Sequence, residues 1–238
     1  MLISHSHKFI FIHIGKTGGT SIEKVLCQHL NIDFEETKND SEGNNWKHIW
    51  AQHMRERVGE EIWDDYFTFA FVRNTYDMIL SLYSMYTQYP QYTDPDQPEF
   101  YHPWNQYKNF EDFIISMDEH RHEPDEKWRK RLDSFEVETQ MDVWTDLENL
   151  QTSYLTESWK GTDGPGTILV DFIGKYENLV DDFHHVCQTI GLPKLDLIHH
   201  GATKHKPYQD SYNERMKKVV YEHSTLDIER FGYSFASP

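Results

Sequence analysis

The chain has 238 residues, of which 40 are acidic and 23 are lysine or arginine, so that its formal net charge is −17. This length favours one α/β domain with insertions over two independent domains. The acidic excess argues against general binding to nucleic acids or anionic membranes, and any anion-binding site must therefore be built locally.

The cysteines and the first apolar run predict the compartment. Cys27 and Cys187 lie in apolar helical patterns, which favours buried free thiols over a disulfide in a chain that shows no secretory signal. The run from Phe9 to Ile14 is too short to span a membrane and leads directly into glycines, as a strand would. We therefore expect a soluble, cytoplasmic protein without a membrane span.

The first of three strand–helix units covers residues 8 to about 30. Residues 8–14 form an almost continuous apolar run, typical of a buried parallel strand. Glycines at positions 15, 18 and 19 end this strand. Apolar residues at 22, 25, 26 and 30 then form the stripe of a helix that faces the core.

Two further units repeat this pattern. A strand at 67–72 precedes a helix that begins just after Asn74, and a strand at 167–173 precedes a helix that ends at about residue 190. A last helix is predicted near 212–223. The alternation predicts a P-loop-like three-layer α/β fold, in which a central parallel sheet is flanked by helices and binds its ligand at the carboxyl ends of the strands.

Residues 91–160 interrupt the alternation. They contain 17 acidic and 7 basic side chains, and their apolar residues are too scattered to form a separate core. We interpret this segment as a helical and loop insertion within a single domain that covers residues 1–238.

The segment HIGKTGGTS, residues 13–21, has the composition of an anion-binding loop. Gly18 and Gly19 expose backbone N–H groups at the start of a helix, where the helix dipole favours an anion. The side-chain donors of this loop are Lys16, Thr17, Thr20 and Ser21. The ATP-binding loop GxxxxGK[ST] is not formed, because Ile10 stands at its first glycine and the glycines that follow the lysine reverse its order.

Several motifs resemble the sulfotransferases that use 3′-phosphoadenosine 5′-phosphosulfate (PAPS), in particular the branch of carbohydrate 2-O-sulfotransferases and their bacterial relatives. FIFIHIGKTGGTSI resembles the family's 5′-phosphosulfate loop, and FAFVRNTYDMILSLY resembles its 3′-phosphate strand and helix. VDFIGKYENL, KHKPYQDSY and DIERFGY resemble its C-terminal half. The resemblance covers both ends of the chain and departs from the family where Gly15 and Thr75 replace prolines.

This resemblance implies roles for individual residues. The glycine loop is expected on the 5′-phosphate, with Lys16 at the oxygen that leaves the sulfur, and Arg73 and Ser81 on the 3′-phosphate. Lys204 and Lys206 belong to a loop that the family closes over the nucleotide. The predicted nucleotide-binding residues are Gly15, Lys16, Thr17, Gly18, Gly19, Thr20, Ser21, Arg73, Ser81, Lys204 and Lys206. The alternatives are a surface salt bridge from Arg73 to Asp77, a solvated hydroxyl at Ser81 and a solvated lysine loop.

Sulfuryl transfer also requires a base that removes the acceptor's proton. His48 stands where relatives carry a Lys-His pair, whereas His53 lies five residues later on a predicted helix and points about 140° away. His48 is therefore the predicted catalytic base, with a capping or surface histidine as the alternative, and His13 is expected to pack in the core. No metal is predicted, although TILVD, ending at Asp171, superficially resembles the strand that holds Mg²⁺ in nucleotide hydrolases.

The sequence therefore predicts a PAPS-dependent sulfotransferase that releases adenosine 3′,5′-bisphosphate (PAP). The alternatives are a Mg²⁺-dependent kinase of the P-loop type and a nucleotide-binding protein without catalytic activity. The acidic insertion is expected on the acceptor side, where Trp104, Trp128 and Trp144 either stack on a sugar ring or pack in the core. Because its charge would repel a heavily sulfated polymer, a carbohydrate or small alcohol is the expected acceptor.

Overall fold

The computed structural model describes residues 2–37, 47–89, 107–120, 150–157, 166–198 and 205–236. The chain groups into two compact units: Met1–Arg73 with Asn149–Gly201, and Asn74–Glu148 with Ala202–Pro238. The single domain expected from the sequence stays a prediction.

The first unit contains a mixed sheet of four strands in the order β1, β2, β3, β4. The strands are β1 (Leu2–Ser4), β2 (Phe9–Ile12), β3 (Phe67–Val72) and β4 (Phe172–Lys175). Strands β2, β3 and β4 are parallel, and β1 runs antiparallel to β2. The predicted α/β fold with a central sheet flanked by helices is confirmed, and β1 adds an antiparallel edge strand too short to give a sequence pattern.

The helices described in the two units follow in chain order. They are α1 (Gly19–Leu30), α2 (Ala51–Val58), α3 (Glu60–Asp65), α4 (Thr75–Gln88), α5 (Phe110–His120), α6 (Leu150–Leu155), α7 (Leu179–Thr189), α8 (Glu214–His223) and α9 (Thr225–Arg230). Within the described ranges, each of these helices is too short or too polar to cross a lipid bilayer.

The third strand lies later in the chain than its apolar run predicted. Ile168 forms an antiparallel bridge with Thr156, so that the chain before Asp171 pairs with the residues after α6. Asp171 then accepts hydrogen bonds from the backbone N–H and hydroxyl of Thr68, each at 2.8 Å. Only from Phe172 does the chain continue along β3 as β4.

The sheet of the first unit is buried by aromatic side chains and by helices α1 and α7. Every residue of β2 is inaccessible to solvent, which explains why the sequence shows no alternation there. The rings of Phe11 on β2 and Phe69 on β3 stack with centroids 4.9 Å apart. Phe183 of α7 belongs to the same core cluster. This packing fixes the carboxyl end of β2, from which the glycine loop begins.

The second unit packs α5 against α8 and surrounds Tyr76 with aromatic rings. Tyr208, Tyr212 and Phe235 all contact the ring of Tyr76, with centroids between 5.1 and 6.5 Å away. The hydroxyl of Tyr212 donates a 2.8 Å hydrogen bond to the carbonyl of Tyr76. The start of α4 is therefore rigidly held within this unit.

Candidate active site

The loop between β2 and α1 has an uncommon backbone conformation. Lys16 and Gly18 both adopt left-handed conformations, with φ of 64° and 86°. A non-glycine residue in this region costs about 1 kcal/mol, so the surrounding contacts must hold Lys16 there. One such contact is the 2.9 Å hydrogen bond from the hydroxyl of Thr17 to the carbonyl of Ile14. Thr17 thus stabilises the loop through its hydrogen bond to Ile14.

Helix α1 begins at this loop without a capping side chain. Gly18 occupies the N-cap position, and its carbonyl accepts a 3.0 Å hydrogen bond from the backbone N–H of Ser21. A β-carbon on Gly19 would lie 2.3 Å from Cδ2 of His13, so only glycine lets the imidazole pack under the first turn. The helix N-terminus is built from backbone, as a phosphate site requires.

Cationic side chains surround the glycine loop. Arg73 donates a 3.0 Å hydrogen bond from Nη1 to the carbonyl of Lys16, and its Cζ lies 4.0 Å from the ring centroid of Tyr176. Burial, followed by the positive charges of Arg73 and Lys47, lowers the pKa of Lys16 to about 8. In a chain of net charge −17, this local concentration of positive charge favours a bound anion.

A glutamine fixes the backbone of Arg73 at the carboxyl end of β3. The side-chain oxygen of Gln151 accepts a 2.7 Å hydrogen bond from the N–H of Arg73, and its amide donates a 2.9 Å bond to the Arg73 carbonyl. Gln151 is completely buried. Sequence reasoning missed this residue, because a single glutamine 78 positions away carries no local signal.

His48 lies beside the loop, and its hydrogen bond assigns the tautomer. Its Nδ1 is 3.0 Å from the backbone carbonyl oxygen of His13. A carbonyl can only accept, so Nδ1 carries the hydrogen and Nε2 carries the lone pair. Burial, followed by the neighbouring His13 and the charge of Lys47, holds the pKa of His48 well below its usual value despite the opposing backbone hydrogen bond. A neutral ring can accept a proton at Nε2.

A comparison with known protein families identifies the family of this chain. The model of the sulfotransferase family matches residues 1–234. The chain belongs to the sulfotransferase family. No curated protein and no solved structure matches it. The predicted membership and sulfuryl transfer in general are thus confirmed.

The structure of this sulfotransferase also locates the other predicted residues. Ser81 lies on α4 in the second unit and is 2% exposed, so it is not the solvated hydroxyl of the alternative interpretation. Arg73 is only 7% exposed, which does not fit a surface salt bridge. Gly15 and Ser21 are buried, whereas Thr20 is half-buried. Lys206 is exposed in the second unit, whereas Lys204 lies outside the described residues, as do Trp104, Trp128 and Trp144.

Asp171 of this sulfotransferase lies at the wrong end of the sheet for a nucleotide-bound metal. It precedes β4 and binds Thr68, the second residue of β3, whereas the glycine loop follows the carboxyl end of β2. In parallel sheets, ligands bind at the carboxyl ends of the strands. Asp171 therefore has a structural role and does not match the metal-binding aspartate that its strand superficially resembles.

Proposed function

We propose that this sulfotransferase uses PAPS as its donor and transfers the sulfuryl group to a hydroxyl or amine, releasing PAP. The single observation that carries the proposal is the arrangement of Lys16 and Arg73, linked by a 3.0 Å hydrogen bond at a helix start that lacks a capping side chain. This arrangement provides two cations for an anionic ligand.

In the proposed complex, the glycine loop binds the 5′-phosphate through the backbone from Gly15 to Gly19 and through Thr20 and Ser21. Lys16 neutralises charge on the oxygen that leaves the sulfur. Arg73 binds the 3′-phosphate, because a guanidinium presents several donors in one plane. Ser81, Lys204 and Lys206 are assigned to the nucleotide from the family resemblance alone.

His48 is the proposed base. PAPS supplies a sulfuryl group whose bond to the 5′-phosphate oxygen breaks as a bond to the acceptor atom forms, with the electron pair remaining on the phosphate oxygen. Nε2 of His48 takes the acceptor's proton, and Lys16 stabilises the charge left on the phosphate. The low pKa of His48 keeps Nε2 unprotonated, and an anion bound nearby would raise that pKa towards neutrality.

The acceptor proposed from the sequence is a carbohydrate or a small alcohol. Residues 91–160 carry ten more acidic than basic side chains, which disfavours a heavily sulfated polymer. Transfer of labelled sulfate from PAPS to a panel of neutral sugars, sulfated polysaccharides and small alcohols tests this choice. Preferential labelling of the sulfated polymers would overturn it.

Thermal unfolding with added nucleotides tests the donor. PAP should raise the melting temperature more than ADP or ATP at the same concentration, because a ligand that binds only the folded state stabilises it according to its affinity. Lys16→Ala should remove most of this shift. Lys24→Ala is a matched control, since Lys24 lies on α1 with its amine over the ring of Phe34. Equal shifts for PAP, ADP and ATP would contradict a dedicated 3′-phosphate site.

A further inference from the structure

A buried histidine–glutamate pair lies against His48. Nδ1 of His13 is 2.9 Å from Oε2 of Glu23, and the two side chains are 3% and 1% exposed. Burying a carboxylate beside an imidazole costs several kcal/mol unless the pair is well compensated, and an apolar pair of similar volume is often at least as stable. The N-terminal amine adds to the compensation, since it also lowers the pKa of Glu23. The contact between this pair and His48 nevertheless points to a role besides stability.

His13 contacts His48 through both its backbone and its ring. Its carbonyl accepts the hydrogen bond from Nδ1 of His48, and the two imidazoles meet edge to face with centroids 4.8 Å apart. The ring of Phe11 stacks on His13 at 5.8 Å. With Gly19 packed against its Cδ2 edge, the ring of His13 is confined to one orientation.

We propose that Glu23 and His13 are positioning residues that hold His48 with Nε2 facing outward as the base. Glu23 orients the ring of His13, and His13 in turn orients His48. This inference rests on the proposed role of His48 in sulfuryl transfer. It assigns the buried pair to proton transfer and not to nucleotide binding.

The charge states of the pair are consistent with this role. Burial lowers the pKa of His13 and outweighs the opposing effect of Glu23, which keeps the ring neutral. Burial alone would raise the pKa of Glu23, but His13 and the N-terminal amine together outweigh it, so that the pKa falls to about 2 and Glu23 stays ionised. Nδ1 of the neutral His13 lies 2.9 Å from a carboxylate oxygen, outside ideal hydrogen-bond geometry, and because a carboxylate can only accept, this contact favours the hydrogen on Nδ1 and this orientation of the ring.

Glu23→Gln tests the proposal, because it removes the charge and keeps the shape. We expect kcat to fall about tenfold, which is the lower end of the loss seen when a group that orients a metal-bound histidine is removed. The KM for PAPS and the Kd for PAP should change less than twofold. In the wild-type protein, ¹⁵N spectra of the imidazoles should show His48 with its hydrogen on Nδ1. In Glu23→Gln the signals of His13 should show a mixture of the two tautomers, because an amide can donate as well as accept, whereas the carbonyl of His13 keeps the hydrogen of His48 on Nδ1.

Two further variants keep the test decisive if Glu23→Gln folds poorly. His13→Asn retains a side-chain amide that can donate to Glu23, so it should keep most of the wild-type kcat. His13→Leu has no such donor, and its kcat should fall as that of Glu23→Gln does. Asp171→Asn is the matched control, because it removes a carboxylate that binds Thr68 at the other end of the sheet. It should lower the melting temperature and leave kcat and the His48 tautomer unchanged.

The outcomes separate this proposal from the proposed donor. An active wild-type enzyme whose Glu23→Gln variant keeps full kcat would overturn the positioning role, as would His48 carrying its hydrogen on Nε2 in the wild type. An equal loss of PAP affinity and kcat would show that the pair supports the loop instead. A wild-type protein that neither binds PAP nor uses PAPS would contradict the donor, and the tautomer measurement would still test the pair.

Discussion

The two central strands lead into helices that begin in opposite ways. Between β2 and α1 lie six residues, and α1 starts at a left-handed glycine without a capping side chain. Between β3 and α4 lie two residues, and the side chain of Asn74 accepts a 3.1 Å hydrogen bond from the N–H of Tyr76. Within the described residues, the first helix start has no capping side chain, whereas the second is capped by Asn74.

This difference fits the binding role proposed for the first helix start and a structural role for the second. The first turn of α1 presents backbone N–H groups beside Lys16, whose depressed pKa of about 8 reflects burial and neighbouring positive charge. At the second connection, Asn74 also donates hydrogen bonds to the hydroxyl of Tyr208 and the carbonyl of Ser234. We therefore expect changes at the first start to act on activity and changes at the second to act on stability.

The largest expected effect is that of Lys16→Ala. Removing a cation from an oxygen that gains charge in the transition state typically lowers the rate about 10²–10³-fold. We expect kcat/KM for sulfuryl transfer to fall at least that far, with a melting temperature close to that of the wild type. Lys24→Ala provides the control in the same assay. Turnover of Lys16→Ala at the wild-type rate would contradict the proposed role of the lysine.

Gly19→Ala tests whether the close packing at the first start is essential. The added β-carbon would lie 2.3 Å from the ring of His13, and such overpacking typically costs about 1–3 kcal/mol. Because His13 contacts His48, we also expect kcat to fall. Gly59→Ala separates a clash from backbone strain, since Gly59 has φ of 83° but no atom within 4 Å of the added carbon. Chemical denaturation should show a loss of stability for both variants. The value of kcat should fall only for Gly19→Ala.

Asn74→Ala tests the second start. It removes a helix cap, which typically contributes about 1 kcal/mol, and two hydrogen-bond donors within the second unit. We expect the free energy of unfolding to fall by about 2 kcal/mol in urea denaturation, while PAP affinity changes little. Asn74→Asp keeps the cap acceptor but turns a buried carboxylate oxygen towards the carbonyl of Ser234, so it should destabilise the protein at least as much. A large loss of PAP affinity without a loss of stability would contradict the structural role assigned to the second helix start.

The sequence predicted the parts of this molecule that have local signals. Continuous apolar runs identified β2 and β3, and glycines marked the start of α1. The third strand begins later than predicted, because Ile168 instead pairs with Thr156, and this bridge joins parts of the chain that no local pattern connects. The same reason explains why the partners of Arg73 were missed: Gln151 and Tyr176 are brought to it only by the fold.

The candidate site shows the same division between local and distant signals. Its glycines, Lys16 and His48 came from motifs, and their roles stay predictions within a chain that belongs to the sulfotransferase family. Glu23 looked like an ordinary polar residue in the helical pattern of α1, and His13 was correctly expected to be buried. Their pairing depends on the ring of His13 turning towards α1, which no residue pattern encodes.

The smallest expected effect is a pH dependence of PAP binding. In the free protein the pKa of Lys16 is about 8, and the phosphates of a bound ligand would raise it. Above about pH 8, binding must therefore take up a proton, and affinity should fall by up to tenfold per pH unit until the pKa of the complex is reached. Below about pH 8 the lysine is charged in both states and contributes no slope.

Calorimetry of PAP binding from pH 7 to pH 9.5, in buffers with different ionisation enthalpies, measures this uptake directly. Lys16→Arg is the matched variant, because a guanidinium stays protonated throughout this range and should remove the slope even if it weakens binding. The phosphates themselves contribute little, since their second ionisation is near pH 6. A wild-type affinity for PAP that stays constant from pH 8 to pH 9.5 would show that Lys16 does not contact the bound anion. In that case only the backbone N–H groups of the first helix start would be left to bind it.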